Sequence, residues 1–170
     1  MFRRALPALA LGLAGCGFQP LYAPGPMANG RDLADELGAV HVSRISERSG
    51  QLLRRALQQR MEDSRPGTAR RYELRAGITI SADLQGYRED GVISRIRFLA
   101  LSQFVLVRVA PPNEEILRGT ARRFDAFNIP ESQFFAADVS REAMEQRLME
   151  GLAEDITRRV ALELRRRGQA

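Results

Sequence analysis

An α+β two-layer sandwich is the fold this sequence predicts: a four-stranded, mostly antiparallel sheet with two helices on one face, in the order β-α-β-β-β-α. Three observations point to it. In Tyr72–Leu84, seven apolar residues at even positions alternate with Glu73, Arg75, Gly77, Thr79, Ser81 and Asp83, the period-two pattern of a strand with one wet face. Residues 93–109 follow as a second long strand after the turn chemistry of Arg88-Glu89-Asp90-Gly91. Near the C-terminus, Met144, Leu148, Leu152, Ile156, Val160 and Leu164 recur every four residues, which draws one apolar stripe down a helix. A meander of strands with a fourth beside it presents one apolar face, and amphipathic helices cover it.

Residues 1–15 precede this domain. Arg3-Arg4, the apolar run 5–13 and small residues before a cysteine give the charged, apolar and small-residue order of a secretory signal peptide. Leu13-Ala14-Gly15-Cys16 adds the bacterial lipoprotein feature, a cysteine whose thiol takes a diacylglycerol and whose amine is freed by cleavage. Cys16 is therefore the predicted lipidation site and membrane anchor; an ordinary cleaved signal and a short buried helix are the competing readings. More than one acyl chain matters, because each buried methylene contributes roughly 0.8 kcal/mol and a single chain anchors only marginally. Residues 16–37 are predicted as a lipidated tether, with three glycines and three prolines in 17–30; 31–37 have no clear pattern. Residues 38–170 form the predicted single domain.

Within that domain, 40–45 alternate as a short strand. Ser49 is a plausible N-cap for a helix over 50–63 that places Leu53, Ala56, Leu57 and Met61 on one face, and Pro66-Gly67 ends it. In the strand at 93–109, Ile96, Phe98, Ala100, Phe104 and Leu106 share one phase, while Leu99, Leu101, Val105 and Val107 make the other phase apolar too. That half is either covered twice or offered for docking. Pro111-Pro112-Asn113 turns the chain into a strand at 115–127. Residues 128–138 connect it to the last helix, 139–167, whose arginines gather in the C-terminal half and suit the helix dipole.

The chain has 170 residues, a formal charge of +5 and 26 basic residues, none of them lysine. Guanidinium groups pair with phosphate or carboxylate in a planar bidentate fork, which an ammonium cannot do. A secreted lipoprotein rarely meets nucleic acid, so the expected polyanion is lipopolysaccharide. Apart from residues 5–15, no apolar run approaches the ~20 residues of a membrane span.

Catalytic chemistry has few candidates. His41 is the only histidine and Cys16 the only cysteine, which leaves no zinc set and no Cys-His pair. No nucleophile elbow or phosphate-cradling glycine loop is present. The carboxylate pairs fall on turns and helix surfaces. The expectation is a non-enzyme without metal or cofactor. Arginines at strand ends remain: Arg88 in the turn, Arg95 and Arg97 on one face of the next strand, Arg122 and Arg123 on the last. They are read either as a lipid-phosphate grip or as partners of Glu73, Asp83 and Asp125.

The stretch Cys16-Gly17-Phe18-Gln19-Pro20-Leu21-Tyr22, with the lipobox before it, resembles the processing site of the lipopolysaccharide-assembly lipoproteins, the LptE family. The Arg88–Arg97 turn and strand, Asp125-Ala126-Phe127-Asn128 and the closing helix follow in that family's order. The resemblance implies an outer-membrane lipoprotein that plugs the LptD β-barrel, helps it assemble, and helps insert lipopolysaccharide into the outer leaflet. It also implies lipopolysaccharide contact through the basic turn where Arg88 stands, with Arg95 and Arg97 as neighbours. A second basic position near the start of the last helix is not matched by Phe134-Phe135-Ala136-Ala137-Asp138. Gly17 after Cys16 fits outer-membrane sorting. The alternative is a stand-alone periplasmic lipid-binding lipoprotein or an auxiliary subunit of a phospholipid transporter, which would need an apolar pocket large enough for acyl chains.

Overall fold

The structure, a computed structural model, describes residues 25–129 and 134–169. Cys16, the signal segment and the first part of the tether, residues 16–24, lie outside the described residues. Seven elements follow in order: α1 (Leu33–Gly38), β1 (Val40–Val42), α2 (Arg48–Arg60), β2 (Tyr72–Tyr87), β3 (Ile93–Arg108), β4 (Glu114–Asn128) and α3 (Phe134–Gln169), with a 3-10 turn at Glu62–Ser64. The sheet order is β1-β2-β3-β4. β1 runs parallel to β2, and the β2-β3 and β3-β4 pairs are antiparallel. The predicted fold class is the observed one.

Pattern and packing agree along both long helices. All six residues of the α3 stripe are buried, with Leu152, Ile156 and Val160 at 0% exposure. Leu53 and Leu57 of α2 and Met61 just beyond it are equally sealed, each such side chain contributing roughly 1.5–3 kcal/mol. They meet Leu74, Ala100, Phe104, Leu106 and Ala121 on the facing side of the sheet. Helices cover this face only, and the opposite face of β2, β3 and β4 is left open among the described residues.

The last helix begins at Phe134, inside the stretch expected as a connection, and three further expectations change. The undecided residues 31–37 hold a helix: Leu33 and Leu37 of α1 are buried, and so is Met27, against which Gly168 of α3 packs. The packed domain therefore begins before residue 38, because the glycines and prolines that read as tether are followed by apolar residues at helical spacing. Ser49 is not the N-cap of α2. That position belongs to Glu47, at φ 69°, while the Ser49 hydroxyl donates instead to Glu145 of α3. A long-range acceptor outcompetes the local one. Lastly, the alternation in β2 does not bury its whole length. Tyr72 and Leu74 are buried, but Leu84 is 46% exposed, since the 13 residues of α2 span only about 20 Å and stop short of the far end of a 16-residue strand.

β1 is held by more than its three ladder pairs. The Ser43 backbone N–H donates to Leu74 O at 2.9 Å, and the Ser43 hydroxyl donates to Glu73 Oε1 at 2.6 Å. Arg75 adds a guanidinium bond to the same carboxylate at 3.0 Å. Arg75 first, then Ser43, hold the Glu73 carboxyl down at about 2, from an ordinary value of 4.5. The stabilisation is therefore complete above pH 4.5 and is lost as pH falls through about 2. Acid titration of stability should show Glu73→Gln losing less than the native chain across that window. Parallel curves would mean that this carboxylate is not linked to folding.

Candidate polyanion and partner surface

The β2-β3 hairpin closes at a tight turn. Arg88 N–H donates to Val92 O, and Gly91 N–H donates to Arg88 O, both at 2.9 Å. Gly91 takes φ +79°, a conformation that glycine adopts without a Cβ penalty. Asp90 completes the turn by accepting from the Val92 N–H at 3.1 Å. The Arg88 guanidinium lies along Asp90, with Nε at 3.3 Å and an Nη at 2.9 Å, and holds that carboxyl below its usual range.

Arg95 and Arg97 share the outward phase of β3, as the alternation predicts. Arg97 pairs with Asp83 at 2.9 Å across the strand, and Arg95 donates to Asn128 Oδ1 at 3.0 Å. The structure thus places all three sequence-predicted arginines at one end of the sheet, each engaged with a neighbour on its own or an adjacent strand. Arg122 and Arg123 separate. Arg122 is exposed on the outward face, whereas Arg123 points to the helix side, donating to Asp155 at 3.0 Å and to Gly151 O at 3.3 Å of α3. Arg123 ties the two layers together.

The outward face of the sheet carries the second apolar phase. Leu101, Val105 and Val107 are half-buried, Leu99 is 40% exposed and its cross-strand partner Phe124 is 74% exposed. No element among the described residues lies over them. Arg75, Arg97, Arg118 and Arg122 stand on the same face, by strand register. An apolar stripe edged by guanidinium groups suits contact with a surface rather than enclosure of a small molecule.

At the opposite end of the sheet lies a cluster that sequence reasoning missed. A 440 Å³ pocket is lined by Arg31, Arg70, Arg71, Arg108 and Arg167, with Glu36 at its wall. These residues come from four separate stretches of chain. Its only sequence signal was the Arg70-Arg71 pair at the start of β2, which the β2-β3 register sets beside Arg108. Two other clefts, of 530 and 360 Å³, flank Gly119 and are also edged by arginine. Among the described residues no group of three or more His, Cys, Asp or Glu is arranged to hold a metal ion, and no helix is long and apolar enough to cross a membrane.

Comparison with known proteins places this architecture. Solved structures with the same fold include a lipoprotein of Caulobacter crescentus (TM-score 0.61, 21% identity, covering 79% of this chain and 96% of that one). A minor lipoprotein of Acinetobacter baumannii is similar at a TM-score of 0.54 and 14% identity, covering 74% and 91%. Rare lipoprotein B of Shewanella oneidensis is similar at 0.50 and 13%, covering 72% and 93%. At these identities the likeness is one of fold. No curated protein matches significantly. The family profile described as LptE, lipopolysaccharide-assembly, matches residues 37–160, from the end of α1 to Val160, the last but one residue of the buried α3 stripe. On that match, over most of its length, the chain belongs to the LptE lipopolysaccharide-assembly family, whose lipoproteins are associated with the outer membrane.

Proposed function

We propose that this protein is an outer-membrane lipoprotein, anchored through acylated Cys16, that plugs the LptD β-barrel and assists its assembly for insertion of lipopolysaccharide into the outer leaflet. The observation that carries this reading is the asymmetry of the sheet. One face is filled by helices down to side chains at 0% exposure, and the other is open, with an apolar stripe edged by arginine. A domain built this way acts through its surface. The inner wall of a large barrel is polar and offers carboxylates and hydroxyls to the guanidinium groups around that stripe. The transporter-subunit alternative needs an enclosed apolar pocket, whereas the clefts of 440, 530 and 360 Å³ are open and lined by arginine.

Arg88, Arg95 and Arg97 are the proposed lipopolysaccharide contacts. Their grouping at one sheet end supports this, and their pairing tempers the strength: a phosphate must displace Asp90 from Arg88 and Asp83 from Arg97, so much of the bond energy is exchanged rather than gained. The test is affinity purification of the acylated chain from detergent-solubilised outer membranes, with mass analysis of its N-terminus. LptD should co-purify and Cys16 should carry acyl chains. Recovery of an inner-membrane ATPase complex instead, or an unmodified Cys16, would overturn the reading. Replacing all three arginines by alanine should lower lipopolysaccharide affinity about tenfold, more at low salt, without reducing LptD recovery.

A further inference from the structure

The five-arginine pocket lies at the end of the sheet away from Arg88, and the reading above gives it no task. Its far wall is formed by the start of the described chain. Asn29 N–H donates to Gly168 O at 3.1 Å, and Met27 packs on Gly168, so the polypeptide arriving from Cys16 is stapled to the rim. The guanidinium groups have carboxylate neighbours. Arg31 and Arg71 approach Glu36 at 3.2 and 3.3 Å, Arg70 approaches Glu73 at 3.1 Å, Arg167 approaches Glu114 at 2.7 Å and Glu163 at 2.8 Å, and Arg108 reaches Glu114 only at 3.6 Å. Of these acids only Glu36 lines the pocket. Each guanidinium has five N–H donors, so donors outnumber acceptors, and the Arg71 Nε is buried with no hydrogen-bond partner. An orphaned buried donor is destabilising, and an acceptor anion supplied from outside removes that cost.

We propose that this pocket binds a phosphate group, that of an anionic phospholipid in the leaflet to which the N-terminus is tethered. Phosphate matches the planar fork of arginine and accepts from several guanidinium groups at once. The pocket volume suits a lipid headgroup. The source follows from the tether, and here the inference rests on acylation of Cys16: the ten residues between Cys16 and Met27 span at most about 40 Å, which keeps the pocket rim within reach of the membrane surface. Headgroup capture would fix the orientation of the domain relative to that leaflet.

Native mass spectrometry of the acylated protein in detergent, with phosphatidylglycerol or phosphatidylcholine added, tests this. The native chain should retain one phosphatidylglycerol, and R70Q/R108Q should lose at least tenfold of that adduct. Both residues are half-exposed and neither holds Glu36, so the fold survives, as thermal unfolding will verify. A charge-matched control, R55Q/R141Q, should retain it. Equal retention by R70Q/R108Q, or equal loss by the control, would overturn the proposal. So would a site that discriminates nothing between the two lipids, or one that holds millimolar inorganic phosphate while excluding lipid. The same spectra report the mass of the Cys16 modification, so a missing anchor is read separately from an empty pocket. LptD recovery should be unaffected by R70Q/R108Q.

Discussion

Replacing Phe104 by alanine should cost about 3–5 kcal/mol, a large share of the roughly 5–15 kcal/mol that stabilises a domain of this kind. The ring is 1% exposed at the centre of β3, flanked in register by Ala76 on β2 and Gly119 on β4. Gly119 is where it is because of that ring: a Cβ there would stand 2.6 Å from the ring's outermost carbon. Small neighbours on both strands make a slot, and the ring fills it. Urea unfolding should show the loss as a lower midpoint at unchanged slope. Gly119→Ala should itself cost about 1–3 kcal/mol by overpacking. In the Phe104→Ala background the same change should be neutral or mildly stabilising, because the new methyl group enters vacated space. Additive effects of the two substitutions would show that ring and glycine do not share one slot.

Glu36→Ala should be nearly as damaging, at about 3 kcal/mol. This carboxylate on α1 is 2% exposed. It accepts from the Tyr72 hydroxyl at 2.7 Å and from Arg31 at 3.2 Å, with Arg71 at 3.3 Å. It joins α1, the start of β2 and the incoming chain. Removing it strands the Tyr72 hydroxyl and takes the counter-charge from Arg71. Glu36→Gln keeps an acceptor for the tyrosine and should lose markedly less. Burial first, then the Glu36 carboxylate, raise the Tyr72 hydroxyl above its ordinary value of 10.0. Its contribution is therefore complete below pH 10 and is lost as pH rises through the raised value. Ultraviolet titration of Glu36→Gln should show one tyrosine returning toward ordinary behaviour. If all tyrosines titrate as in the native chain, the Glu36–Tyr72 contact is not made in solution.

Periodicity carried most of the fold into the sequence. A spacing of four along α3 and of two along β2 says which side of each element is apolar, and one sheet face with two helices is the simplest way to bury those sides together. The lipobox was legible for the same reason: its order of charge, apolar run, small residues and cysteine is local. What periodicity does not carry is partnership. The pattern placed Arg122 and Arg123 side by side, and the pleat sent one to the outward face and the other to Asp155 of α3. It marked Ser49 as a cap, and Glu145, 96 residues on, took the hydroxyl instead. It gave β3 a second apolar phase without saying whether anything lies over it. Strand length against the length of α2 decided how far the helical layer reaches.

The arginine pocket belongs wholly to this second kind. Arg31, Arg71, Arg108 and Arg167 are far apart in the chain, and they converge because β2-β3 register sets Tyr72 opposite Arg108 while the end of α3 folds back onto residues 27–29. Local sequence determined the elements, their buried sides and the predicted anchor. Only the tertiary structure decided which charges meet, because ion pairing and hydrogen bonding act over a few ångströms in space and are blind to distance along the chain.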